Sequence, residues 1–341
     1  MTLQNSNLKL RPSVLVSDTV PAQNGGRMAY SEVVSGVKNN LLPDATAAQR
    51  LNGLVRWRKV FWHVDSADTV ALNNVMIYMD KQTQGDDYLL FQGDNVTANG
   101  TEDEQDEGLL YGIGLLCNDA SAGDDTVTVT CEHADYANFP YPPFRPGMTI
   151  RISNIPPGGG AGTEDFVVLT AVEFDGDTAT LTFAGSVLVE DYLSDETIVS
   201  AVFTIDTVAG SFDSLSTNTA HGTIFQAVPG NISVPSLGSI DESWTITFTD
   251  ANTFTVAGAT VGALSGTGSV SAYYEAINPA TSTPYFSIQA ATWAESFMAG
   301  ETVTFNTSQA SLPLLVRQCI PAGSGSLAGN VGAIAIRGES A

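Results

Sequence analysis

The side chains able to do chemistry in this sequence are few. His63, His133 and His221, with Cys117, Cys131 and Cys319, are its whole stock of imidazoles and thiols. A serine hydrolase sets its nucleophile on a sharp turn written G-x-S-x-G, and that pattern is absent. Cys117, Cys131 and His133 form C-x13-C-x-H, which matches no usual zinc spacing and has no fourth ligand nearby. Asp124, Asp125, Asp175 and Asp177 are hard oxygen donors, but none lies in a D-x-[DN]-x-[DN]-G loop, so they read as turn formers. Carboxylate pairs for glycoside cleavage are too abundant in so acidic a chain to single one out. The run Pro156-Pro157-Gly158-Gly159-Gly160-Ala161-Gly162 lacks the Lys-Ser/Thr and the following helix of a phosphate loop, and reads as a hairpin tip. His63 sits beside Trp62 in an apolar run, where a packed histidine is the simpler reading. The expectation is no enzyme, no metal and no cofactor.

One cluster stands apart. Arg56-Trp57-Arg58-Lys59 interleaves cations with an aromatic, as nucleic-acid binders do, yet four residues are a small footprint on a chain of net charge −24. Arginine and tryptophan are also favoured interface anchors. Arg56, Trp57, Arg58, Lys59 and, from a later strand, Arg317 are therefore the candidate subunit interface, meeting an acidic surface of a neighbour. No direct nucleic-acid or membrane contact is expected.

The elements that must position these residues are strands. LVRWRKVFWHV (54–64) alternates Val60, Trp62 and Val64 on one face, and NVMIYMD (74–80) follows a polar turn, which predicts an antiparallel hairpin. DDTVTVTCEH (124–133), GMTIRIS (147–153), DFVVLTAVEF (165–174), DTATLTFAG (177–185), SWTITFT (243–249), TFTVAG (253–258) and ETVTFNT (301–307) repeat an apolar and threonine alternation. Asp175-Gly176-Asp177 and Asp250-Ala251-Asn252 are their turns. PLLVRQCIPAG (313–323) and GAIAIRGE (332–339) close the chain with strands. Helix is confined to Ala45–Leu51, with Asp44 as its cap and Gly53 as its stop. The fold class expected is all-β: an immunoglobulin-like sandwich interrupted by one or two inserted sandwich or barrel domains, with little helix near residues 27–52.

Charge divides the chain further. Residues 1–100 hold nine basic and nine acidic side chains, whereas residues 101–305 hold 27 acidic ones against Arg145 and Arg151. Residues 306–341 carry Arg317 and Arg337 against Glu339 alone. Neutral ends around an acidic middle predict residues 1–26 as an extended arm, 27–100 with 306–341 as a discontinuous docking sandwich, and 101–305 as an acidic insertion, divisible at 205/206. The run Thr101–Glu107 reads as a solvated boundary loop. Three cysteines are too few for a disulfide framework, and neither an apolar leader nor a run of about 18 apolar residues occurs, so synthesis and assembly in a reducing cytoplasm are expected.

Three stretches carry a resemblance: SGVKNNLLPDATAAQRLNGLVRWRKVFWHV (35–64), INPATSTPYFSI (277–288) with AGETVTF (299–305), and PLLVRQCIPAGSGSLAGN (313–330) with the closing IRGES. They resemble structural proteins of tailed bacteriophages, especially contractile-tailed ones. The resemblance implies a non-enzymatic building block of the neck, collar or tail, present in many copies in the virion. Its partners would be copies of itself and other phage structural proteins: neck, tail sheath or tube, and the portal-proximal connector. It brings no catalytic residues. Lasting assembly would require an interface on the order of 2,000 Å² or more. The competing functions are a baseplate or fibre module binding or cleaving carbohydrate, with Trp244, Trp293, Tyr273 and Tyr274 stacking on sugar, and a capsid decoration protein.

Overall fold

Leu54–Val64 is the strand around which the first sheet is built. The computed structural model describes residues 3–106, 108–131, 142–224 and 230–340. On one side Leu8–Leu15 covers the second half of this strand, from Leu8 opposite Val64 to Pro12 opposite Val60. On the other, Ser311–Ile320 pairs along the whole length, from Ser311 opposite His63 to Ile320 opposite Leu54. Tyr88–Gln92 and Leu110–Tyr111 extend this sheet on one edge and Gly25–Met28 on the other. The leading segment, read as an arm, is thus extended and seated in its own chain's sheet.

Ala71–Lys81 does not fold back on Leu54–Val64 as the predicted hairpin. It pairs with Ile198–Ala209 and with Ala333–Ser340 in a second sheet. The run Ile77–Asp80 is buried throughout, so the link 65–70 crosses between layers to bury both faces. Ile198–Ala209 serves two neighbourhoods. Its first residues lie between Thr149–Ser153 and Ile113–Leu116, and the rest runs beside Ala71–Lys81. Thr126–Thr130, Thr178–Thr182 and Ala171–Asp175 continue the sheet outward. The segment 165–174, expected as one strand, breaks at Leu169 and Thr170. Glu164–Val168 pairs with Thr149–Ser153, and Ala171–Asp175 turns at Gly176, φ 59°, to meet Thr178–Thr182.

The chain is all-β, with antiparallel sheets packed as sandwiches; every ladder among the described residues is antiparallel. The one α-helix among the described residues, Ala47–Asn52, is capped by Thr46 rather than Asp44. Thr46 accepts from the Gln49 amide while Gln49 reaches back to Thr46, a reciprocal capping box, and Asp44 is taken by Lys38 at 2.7 Å.

Two apolar cores result. One is continuous from Val60, Ile77 and Leu314 to Ile150, Val129 and Leu181. The other belongs to residues 212–305 and centres on Trp244, Phe248, Phe254, Phe286 and Phe305. Ladders cross both lines drawn from charge: Phe91 pairs with Tyr111 and Asn73 with Thr207 across the first, and Ser211 pairs with Ser308 and Glu242 with Thr307 across the second. The 101–106 loop is stitched down as well, since Asn24 bonds Glu102 through both its carbonyl and its side chain.

Candidate functional site

The basic cluster turns inward. In Leu54–Val64 the even positions face the first core, so Arg56 and Arg58 share a face with Val60 and Val64 and are 2% and 3% exposed. Arg56 donates to Gln318 at 2.7 Å and to the Pro43 carbonyl, and Arg58 donates to Asp18 and to the Leu41 and Trp57 carbonyls. Buried charges require such partners, because an unpaired one costs several kcal/mol. Lys59 points to the other face and is 1% exposed. Its ammonium donates to the Thr97, Ala98 and Gly100 carbonyls at 2.5, 2.9 and 2.8 Å. Burial depresses its pKa to about 8, against the pull of Asp241 and Glu104. An interface anchor must be reachable, and these three heads are committed within their own chain. What stays at the surface is Trp57 with its register partner Arg317, whose guanidinium lies 5.6 Å from the indole centre.

The same economy holds elsewhere. Lys9 pairs with Glu32, Arg11 with Asp65, and Arg151 with both Asp80 and Glu164. Arg337 reaches Glu164 from the C-terminal strand and lies over Phe166, bringing two edges of the second sheet together. Burial raises the Glu164 pKa, but its bonds to Arg151 and Arg337 outweigh that and hold the carboxyl below its usual range. Arg145 is spent on the Leu110 and Pro142 carbonyls. Both cations of the acidic tract are therefore structural, and the acidic side chains dominate its exterior.

Beside this network, where Ala71–Lys81 and Ile113–Leu116 diverge along Ile198–Ala209, lies a cleft of about 640 Å³. Asp80 on its wall is held by Arg151 and by the Gly158 amide, which also fixes the glycine-rich turn at the tip of the hairpin between Thr149–Ser153 and Glu164–Val168. Gln82 and Asn154 are likewise turned to backbone partners, leaving Lys81 and Glu196 as the charged groups facing the space. Such a lining offers neither a nucleophile and base nor converging metal donors.

Among the described residues no group of three His, Cys, Asp or Glu side chains is placed to hold a metal. Cys131 is buried, its thiol pushed up to about 12 by burial and the nearby Cys117 and Asp177, while His133 lies outside the described residues. His221 is exposed and bonds Glu301 at 3.0 Å. Trp244 is core, donating to Thr307 at 2.9 Å; Tyr274 and Trp293 pack edge-on and tilted against Phe254, and Tyr273 alone projects. No helix among the described residues is long and apolar enough to cross a membrane.

Sequence reasoning missed the polar seam between the two cores. His63, fully buried, receives the Arg11 Nε–H at Nδ1 over 3.0 Å, and its Nε2 lies 3.2 Å from the Ser236 carbonyl. The segment Ser233–Asp241 then docks on the first sandwich. The Ser236 and Leu237 amides bond the Asp68 and Ser66 carbonyls, the Ala310 amide bonds Ser239, and Asn278 bonds the Tyr30 hydroxyl. Only the burial of His63 beside Trp62 was a signal for it.

No protein-family model, curated protein or solved structure matches this chain.

Proposed function

We propose that this chain is a non-enzymatic virion structural protein of a tailed bacteriophage, assembling in many copies as a ring or sleeve of the neck, collar or tail. One observation carries the reading beside the resemblance of its sequence. Among the described residues, eight of the eighteen large apolar side chains left exposed, Val14, Leu15, Val16, Val20, Val34, Val37, Leu51 and Val55, fall within residues 14–55. Of these, Val14, Leu15 and Val55 lie on the paired strands Leu8–Leu15 and Leu54–Val64, and apolar groups gathered on adjoining strands suit a surface that is covered in the working state. Trp57 and Arg317 border Val55 on the same sheet and are of the residue types that anchor interfaces. Carboxylates dominate elsewhere, which disfavours like-with-like contact through the acidic tract and leaves it projecting.

In this reading the neutral part docks on neighbouring copies and on other particle proteins, and the acidic segments outside the sheets it shares face outward. Electron microscopy of the purified protein and of virions tests it. Multi-copy closed assemblies, and density for the chain at one level of the particle, are expected. A chain that stays monomeric and is missing from virions would sink the proposal.

A further inference from the structure

We propose that His63 is an acid-sensitive latch between the two sandwich cores: neutral, it ties the 211–308 module to the first sandwich, and protonated, it releases that module. The two units are joined covalently only at Gly210 and at Gln309–Ala310, so their relative position depends on the seam. Within the seam the ring is used on both nitrogens. Because Arg11 can only donate, Nδ1 accepts, and the proton resides on Nε2, facing the Ser236 carbonyl. Protonation sets an Nδ1–H against the Arg11 Nε–H, two donors and two positive charges about 3 Å apart in a site closed to water.

The charged and titratable groups around the ring give little compensation. Strand Leu8–Leu15 brings Arg11 and, on the same face, Lys9, whose charge is taken by Glu32. The turn after His63 brings Asp65, already paired with Arg11 at 3.1 Å, and Asp68, which contributes its carbonyl. Tyr30 lies against Arg11, and Lys59 and Asp241 sit together farther along the seam. Ser233–Ser239 and Ser311 add hydroxyls and carbonyls only. Consistent with this geometry, burial and then Arg11 lower the His63 pKa to about 4, opposed by Ser236 and Asp65. Once the seam opens, the ring returns to an ordinary value near 6.5, so acid favours the open form throughout the interval between the two.

Hydrogen exchange of the full-length chain at pH 7 and pH 4.5, corrected for intrinsic rates, tests the latch. The Ser236, Leu237 and Ala310 amides are expected to exchange on the order of tenfold faster or more at the lower pH, with the Trp244 core still protected. His63→Gln keeps an acceptor for Arg11 and a donor for Ser236 but cannot titrate, and it is expected to abolish that increase. An equal increase in the variant overturns the latch and assigns the pH response to groups other than His63. Should the variant fail to fold, ring 15N shifts of the wild-type protein decide. A ring that stays neutral until the seam amides open supports the latch, and one that titrates near pH 6.5 with those amides protected contradicts it.

Discussion

The Lys59 ammonium and the Gly100 carbonyl meet at 2.8 Å, and the same carbonyl accepts the Gly26 amide, so one buried cation ties the central strand to the acidic 101–106 loop and to the N-terminal segment. Lys59→Met removes the donor and leaves three carbonyls facing an apolar chain. A loss of roughly 2–3 kcal/mol in denaturant unfolding is expected, the cost of unpaired buried acceptors partly offset by relief of a buried charge.

The same lysine gives a pH signature. Its folded pKa of about 8 lies below the unfolded value, so its protonation opposes folding. Its contribution is full above about pH 10.4, the unfolded value, and is lost as pH falls through 8. The stability gap between wild type and Lys59→Met is therefore expected to widen from pH 7.5 to 9.5, as followed by urea midpoints. A gap independent of pH would show that Lys59 titrates normally.

Trp244 is 1% exposed and touches Tyr285 and Phe286 in the second core only. Trp244→Ala is expected to cost about 3–5 kcal/mol. Because the two cores are separate, thermal unfolding should split into an early transition for 211–308 and a later one for the rest. A single cooperative transition shifted as a whole would mean that the seam couples the cores more tightly than its contacts suggest.

Gly238 lies in the docking segment, where a Cβ would fall 2.1 Å from the Pro284 carbonyl oxygen. No rotamer relieves a backbone clash, so Gly238→Ala must displace the segment. The expected outcome is loss of protection at Ser236 and Leu237 with the far ends of both sandwiches unchanged, read by hydrogen exchange.

Much of the fold was legible because period-two patterns survive in TVTVT and SWTITF, and because Asp-Gly and Asp-Ala-Asn turns dictate their hairpins. The helix was placed within a residue or two; its cap was misassigned because Lys38 competes for Asp44. The hairpin predicted for 54–64 and 74–80 failed, since a strand buried on both faces does not reveal from periodicity which sheet it joins. Parity alone puts Arg56 and Arg58 on the face of Val60, but arginine is so seldom fully buried without a partner that its type points to the surface. Their partners are distant in sequence: the sheet register sets Gln318 opposite Arg56, and the bend after Leu8–Leu15 brings Asp18 to Arg58. The seam was invisible for the same reason, as His63 and Ser236 are 173 positions apart.

Sedimentation velocity of the full chain beside Val16→Asp/Val20→Asp tests the central claim most directly, since both residues are more than 40% exposed and their replacement should leave the fold intact. The expected result is a discrete multi-copy species for the wild-type protein and a monomer with an unchanged circular dichroism spectrum for the variant. Monomers for both at tens of micromolar, or identical assemblies for both, would contradict a docking face in the N-terminal segment.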